Sequence, residues 1–173
     1  IIVISGDVLT DFDLTDAIRF HEEKGADATI VLTRVPNPLQ FGVVIVDDEG
    51  NITRFLEKPS WGEVFSDTIN TGIYILENHV LQMIPYKDEY DFSKNLFPQL
   101  MLGGKKLCGY IAEGYWRDVG TLEEYHEASM DTLGERVKVN IEGNAVAQAH
   151  IGEGSVVPDD RASAIPLLVD LLA

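Results

Sequence analysis

Two unbroken β-forming runs, Ile1-Ile2-Val3-Ile4 and Ala28-Thr29-Ile30-Val31-Leu32-Thr33, flank a single segment of helical periodicity, and this arrangement restricts the fold more than any other feature. Runs that are apolar at every position rather than at alternate ones belong to strands covered on both faces, and such strands sit in parallel sheets flanked by helices. Between them Leu14, Ala17, Ile18 and His21 recur at helical spacing, with Asp13 the expected N-cap, Asp16 at N3 and Gly25 the stop. Strand, helix, strand predicts a right-handed crossover and a parallel pair. The chain opens inside the first strand with no Met and no preceding loop, so a piece of a longer protein is expected.

Further along, the pattern changes. Residues 41–46 and 52–57 are rich in β-formers and flank Asp47-Asp48-Glu49-Gly50-Asn51, which predicts a hairpin whose second strand stops at Pro59. Residues 68–76 predict another strand, and Gly72 inside it marks a bulge or a close backbone approach. Helices are expected over 77–84, ended by Pro85, over 93–102, where Pro98 is tolerable only near the first turn, and over 122–133. A strand is expected over 107–112. From Val137 onward, Ile141, Val146, Ile151 and Val157 recur at five- or six-residue intervals with Gly and Ala between them, a spacing like that of a left-handed parallel β-helix.

The 173 residues carry 13 Lys and Arg against 29 Asp and Glu, a net charge of −16. Such a surface repels phosphodiester backbones and anionic headgroups, and no basic patch relieves it, which argues against nucleic-acid and membrane partners. Cys108 is the one cysteine, which excludes an internal disulfide and fits a reducing cytoplasm. No signal peptide is visible, and the longest apolar stretches fall far short of a membrane span. His21, His79, His126 and His150 show no ligand spacing, and no Ser-His-Asp or Cys-His arrangement is legible, so zinc and acyl-enzyme chemistry have no support.

The candidates for chemistry are carboxylates at strand ends. Asp7 follows the first strand, where open α/β sheets bind ligands, and Asp118 lies at a second junction, Tyr115-Trp116-Arg117-Asp118-Val119-Gly120-Thr121. Together they suit a hard divalent ion such as Mg²⁺; singly, each is an ordinary turn or cap residue. Glu57-Lys58-Pro59 offers a cation for phosphate beside a carboxylate for sugar hydroxyls, or a solvated surface pair. Asn70-Thr71-Gly72 suits a sugar pocket, the amide reading hydroxyls and the glycine permitting close approach, or is simply a bulge. Asp11-Phe12-Asp13 has the form of a glycosyltransferase metal element, but Asp13 is needed as the helix cap and Asp11 in the turn before it.

Taken in order, Ser5-Gly6-Asp7, Phe41-Gly42-Val43-Val44, Phe55-Leu56-Glu57-Lys58-Pro59, Ile69-Asn70-Thr71-Gly72-Ile73-Tyr74 and residues 115–121 resemble the sugar-1-phosphate nucleotidyltransferase family. These enzymes make nucleotide sugars from a nucleoside triphosphate and a sugar 1-phosphate. The resemblance implies an α/β fold over residues 1–134, a Rossmann-like, GT-A-type sheet lacking its N-terminal strands, with 135–173 as the start of a left-handed parallel β-helix and an irregular tail. It implies Asp7 and Asp118 as ligands of Mg²⁺, Lys58 as catalytic with them, and Gly42, Glu57, Lys58, Asn70, Gly72 and Tyr74 as the sugar-phosphate site. The reaction it implies is in-line attack of a sugar-phosphate oxygen on the α-phosphorus, with pyrophosphate leaving. Residues 65–72, Asp91-Phe92-Ser93-Lys94 and Glu113-Gly114-Tyr115-Trp116 look most like the mannose-1-phosphate guanylyltransferase branch, so GTP and mannose 1-phosphate are the expected substrates. Glucose 1-phosphate with dTTP, UTP or ATP is the alternative within the family, and a non-catalytic regulatory homologue the alternative outside it. The family's glycine-rich GGxGTRL loop, which cradles the triphosphate, does not occur in the chain, so the isolated chain is expected to be inactive. The intact parent is expected to be a homo-oligomer.

Overall fold

The computed structural model describes residues 1–57, 60, 66–87, 89–140, 144–146 and 149–151. In chain order the elements are β1 (Ile2–Ile4), β2 (Val8–Thr10), α1 (Leu14–Lys24), β3 (Ala28–Arg34), β4 (Gly42–Val46), β5 (Ile52–Glu57), β6 (Thr68–Leu76), α2 (Asn78–Leu81), a π-helical turn (Phe92–Leu96), α3 (Phe97–Leu102), β7 (Leu107–Ile111), β8 (Trp116–Asp118), α4 (Leu122–Leu133), β9 (Asn144–Val146) and β10 (Ala149–Ile151).

The main sheet is built around β3, whose first six residues are all buried, as its unbroken apolar run requires. β6 runs antiparallel along one side of β3 and β7 parallel along the other. The expected hairpin is present as β4 and β5, paired antiparallel from Gly42↔Glu57 to Val46↔Ile52. One face of the sheet packs Ile30, Leu32, Val44 and Leu76 against Phe97 and Leu100 of α3. The opposite face packs Val31, Ile73 and Ile75 against Ala17 of α1 and against Phe12, which precedes that helix. Asp13 and Gly25 bound α1 as expected, Asp13 accepting from the Thr15 N–H and Gly25 taking a left-handed conformation.

The first strand departs from its expectation. β1 pairs antiparallel with β6 through Ile2↔Ile75, Val3↔Tyr74 and Ile4↔Ile73, so β6 lies between β1 and β3 and the two are not a parallel pair. Nor is β1 covered on both faces, since Ile1, Ile2 and Ile4 are 58%, 41% and 49% exposed. The reason is the length of β6: its nine residues offer one whole edge to β3, and on the other edge hold β4 at Ile69 and β1 at residues 73–75. Apolar periodicity reports that a strand is wanted in a sheet and is blind to which distant strand separates it from its sequence neighbour.

Gly72 does form a bulge. The β3–β6 register jumps from Val31↔Ile73 to Leu32↔Asn70, leaving Thr71 and Gly72 unmatched, and Gly72 takes φ +77°. The helix expected over 77–84 contracts to α2, which lacks a side-chain N-cap bond. The helix expected over 93–102 is split: Asp91 caps a π-helical turn by accepting from the Lys94 N–H, and α3 restarts with Pro98 in its first turn. Pro98 has no N–H to continue an α-helical ladder from the preceding turn. The wider turn absorbs this, the Phe97 N–H bonding the Phe92 carbonyl.

A β-helix coil is not seen among the described residues. β9 and β10 pair antiparallel, through Ala149↔Val146 and Ile151↔Asn144, whereas a β-helix stacks parallel strands that need neighbouring coils to bury their core. Residues 141–143, 147–148 and 152–173, on which the rest of that expectation falls, lie outside the described residues, as do 58–59, 61–65 and 88. No described helix is long and apolar enough to cross a membrane.

Candidate active site

Asp7 and Asp118 are brought together by a ribbon that periodicity did not reveal. β2 and β8 pair antiparallel with Val8 opposite Asp118 and Thr10 opposite Trp116, and the Val119 N–H donates to the Asp7 carbonyl at 2.7 Å. Strands of three residues are too short to carry a legible period. Both aspartates line one open cleft of about 260 Å³, with Ser5, Gln40, Phe41, Gly42, Asn70, Thr71, Gly72, Ser93 and Trp116 among its other walls.

Each wall has a local cause. The Ser5 hydroxyl donates to Asp7 Oδ1, and the Ser5 N–H donates to the Gly72 carbonyl at 2.9 Å, so the strand-to-turn junction carrying Asp7 is seated on the β6 bulge. Only glycine fits there without displacement: a Cβ at residue 72 would stand 3.0 Å from the Ser5 Cβ. Asn70 holds the same bulge. Its Oδ1 accepts from the Gly72 N–H at 3.0 Å, while Nδ2 donates to the Tyr74 hydroxyl at 3.1 Å and to Ser93 Oγ at 3.4 Å. Asn70 thus braces the walls, a role beyond the hydroxyl reading expected of it. Trp116, which sequence reasoning quoted only as part of a motif, donates from Nε1 to the Thr71 carbonyl at 3.0 Å and meets Phe41 edge to face at 5.5 Å.

Not every expected residue lies in this cleft. Tyr74 lines an adjoining cleft of about 310 Å³ with Val3, Asp91 and Phe92, and its ring packs on Phe92 and Phe97. Ser5, Gly72 and Ser93 line both clefts and form the wall between them. Gly42, in the first cleft, is paired in register with Glu57. The Glu57 side chain and the whole of Lys58 lie outside the described residues.

Behind β8 lies a polar network that sequence reasoning missed. Arg117 donates from Nε to the Tyr115 hydroxyl oxygen at 2.9 Å, from Nη1 to Glu124 Oε2 at 2.6 Å and from Nη2 to Asp131 Oδ2 at 3.0 Å. The Tyr115 hydroxyl in turn donates to Asp131 Oδ2 at 2.7 Å, and Arg136 to Asp131 Oδ1 at 2.9 Å. The Tyr115 hydrogen bond, with Arg136 and Arg117 beside it, holds the Asp131 carboxyl below the usual carboxylate range against the opposing effect of its burial. Burial disfavours the charge on Arg117, and the bonds to Glu124 and Tyr115 more than offset it, so its pKa rises. A carboxylate depressed on folding stabilises the fold fully above its unfolded pKa, about 4, and that contribution is lost as pH falls through the folded value. The gap in urea midpoint between the native chain and Asp131→Asn is therefore expected to stay constant from neutrality down to about pH 4 and to close below it. A gap independent of pH in that acid range would contradict the assignment.

Asp11 and Asp13 are engaged structurally, as expected. Asp13 accepts from the Thr15 N–H at 2.8 Å as the α1 cap, and Asp11 accepts from the Tyr115 N–H at 2.7 Å and the Lys138 N–H at 3.0 Å. Among the described residues no group of three or more His, Cys, Asp or Glu is disposed to hold a metal. The two carboxylates Asp7 and Asp118 nonetheless suit Mg²⁺, which commonly takes one or two protein carboxylates and completes its octahedron with water and substrate phosphate.

A family model described as nucleotidyl transferase matches residues 1–135. The chain is 43% identical over 139 residues to UTP–glucose-1-phosphate uridylyltransferase of Synechocystis sp., covering 79% of this chain and 36% of that protein. It is 39% identical over 132 residues to mannose-1-phosphate guanylyltransferase of Mycobacterium tuberculosis, covering 76% and 36%. It is 35% identical over 170 residues to glucose-1-phosphate adenylyltransferase of Desulfitobacterium hafniense, covering 88% and 42%. The chain thus spans between 36% and 42% of the length of these relatives. Among solved structures, its fold is similar to that of a putative glucose-1-phosphate thymidylyltransferase from Bacillus anthracis, with a TM-score of 0.62 at 23% identity over 80% of this chain and 56% of that one. It is also similar to that of HddC from Yersinia pseudotuberculosis, with a TM-score of 0.61 at 24% identity over 73% and 52%.

Proposed function

Because the chain belongs to the nucleotidyl transferase family, we propose that the cleft of Asp7 and Asp118 is the sugar-phosphate half of a site that transfers a nucleoside monophosphate from a nucleoside triphosphate to a sugar 1-phosphate, releasing pyrophosphate. The observation that carries this reading is the β2–β8 ribbon, which sets two carboxylates from distant parts of the chain on one cleft floored by a glycine bulge.

Asp7 and Asp118 would hold Mg²⁺, which when bound neutralises charge on phosphate oxygens. Ser5 fixes the rotamer of Asp7 by hydrogen bonding to Oδ1. Gly42 and Gly72 present backbone to the ligand without a side chain between, and Phe41 and Trp116 give the sugar an apolar wall that keeps water off one face. Lys58 follows the strand residue paired with Gly42, and its cation offsets the repulsion between two polyanions in a protein of net charge −16.

Mannose 1-phosphate with guanylyl transfer is the substrate pair we favour, on the segments at 65–72, 91–94 and 113–116. The 43% identity to a uridylyltransferase named for glucose 1-phosphate supports a second reading, in which the sugar is glucose. Calorimetric titration of the chain with each sugar 1-phosphate, with and without Mg²⁺, tests both. A sugar 1-phosphate is expected to bind at least about tenfold, or ~1.4 kcal/mol, more tightly than inorganic phosphate and more tightly still with Mg²⁺. The preferred epimer identifies the sugar, and binding of neither sugar 1-phosphate would overturn the assignment.

A further inference from the structure

We propose that Asp131, acting through Arg117, is a positioning residue for Asp118; the inference rests on the assignment of Asp7 and Asp118 as a divalent-cation site. β8 is three residues long and, among the described residues, pairs only with the three-residue β2, a ribbon too small to hold its own geometry. Side chains alternate along it. Trp116 and Asp118 line the cleft, while Arg117 between them is turned to α4, where its guanidinium meets Glu124 and Asp131. The ribbon is thus gripped from both faces, by the Trp116 bond to the Thr71 carbonyl in front and by Arg117 behind.

The two α4 partners of Arg117 are not equivalent. The Glu124 side chain is 44% exposed, so solvent screens its pair, whereas that of Asp131 is 4% exposed and receives Tyr115, Arg117 and Arg136 together. Ala128 and Asp131 are the buried residues of α4, so this helix docks on a carboxylate as much as on apolar surface. Asp131 therefore determines where α4 meets Arg117, and Arg117 determines where Asp118 stands. Groups that orient metal ligands from behind typically affect metal affinity about 10- to 100-fold.

Electron paramagnetic resonance titration with Mn²⁺ reads the effect on the full chain without any turnover. Asp131→Asn is expected to weaken Mn²⁺ binding about 10- to 100-fold with an unchanged circular dichroism spectrum. Arg117→Lys, which keeps the charge and loses the fork, is expected to fall between that variant and the native chain. Val80→Ala, a truncation in the core on the α3 side of the sheet, lowers stability far from the ribbon and is expected to leave Mn²⁺ affinity unchanged. If the native chain binds no Mn²⁺, the cation-site reading itself fails. If the native chain binds it and Asp131→Asn binds equally well, or Val80→Ala weakens it as much, the positioning role is overturned while the cation site stands. Should Asp131→Asn not fold, unchanged affinity in Arg117→Lys overturns the role and the graded loss upholds it.

Discussion

Asp118→Asn is expected to lower the affinity of the cleft for a divalent cation by about 100-fold or more, and to remove the Mg²⁺-dependent part of sugar 1-phosphate binding, while the fold persists. The change is isosteric and takes away the charge. The register of β8 depends on backbone pairing with β2, which an amide side chain leaves untouched. Mg²⁺ held by only one or two carboxylates draws most of its protein affinity from their charge, and losing a direct ligand should exceed the 10- to 100-fold typical of the groups behind it. Asp7→Asn is expected to act with similar size. Because both carboxylates would serve one ion, the double variant is expected to be little worse than either single one, a non-additivity that two independent surface sites would not show. Mn²⁺ titration of the three variants is the measurement; additive losses, or no loss, would remove the shared-ion reading.

How much of this site was legible beforehand follows from which signals are local. The β3 run, the α1 caps, the β4–β5 hairpin and the bulge at Gly72 each write their cause within a few residues, and each is found where the residues place it. The neighbour of β1 is not a local property. It depends on β6, whose long edge holds two strands in succession and so displaces the parallel pair that strand, helix, strand implies. Beyond what the family resemblance implies, the meeting of Asp7 with Asp118 was legible only as two strand ends of similar chemistry, since the ribbon that unites them has no period of its own. Asp131 was the least legible. A carboxylate two residues before the end of an amphipathic helix looks solvated until Tyr115, Arg117 and Arg136 are found converging on it. Buried polar residues satisfied by partners far away in sequence are what apolar patterning is least able to report.

Gly72→Ala is expected to cost about 1–3 kcal/mol of stability and, unlike an ordinary destabilising change, to disable cation binding as well. The residue sits at φ +77°, where an L side chain is strained by roughly 1–2 kcal/mol. The added methyl would stand 3.0 Å from the Ser5 Cβ, and Ser5 has little freedom to recede, because its N–H is bonded to the Gly72 carbonyl and its hydroxyl to Asp7. Asn70 pins the other side of the bulge through the Gly72 N–H. Displacement therefore passes along Ser5 to Asp7, the one direction that moves a carboxylate proposed to hold the cation. Gly25→Ala separates the two effects, since Gly25 also has positive φ, +56°, but a Cβ there meets nothing within 4 Å. That variant is expected to lose about 1 kcal/mol through backbone strain alone and to keep its Mn²⁺ affinity, whereas Gly72→Ala loses both. Equal loss of stability in the two, with Mn²⁺ binding preserved in each, would mean that the bulge serves the sheet and not the seat of Asp7.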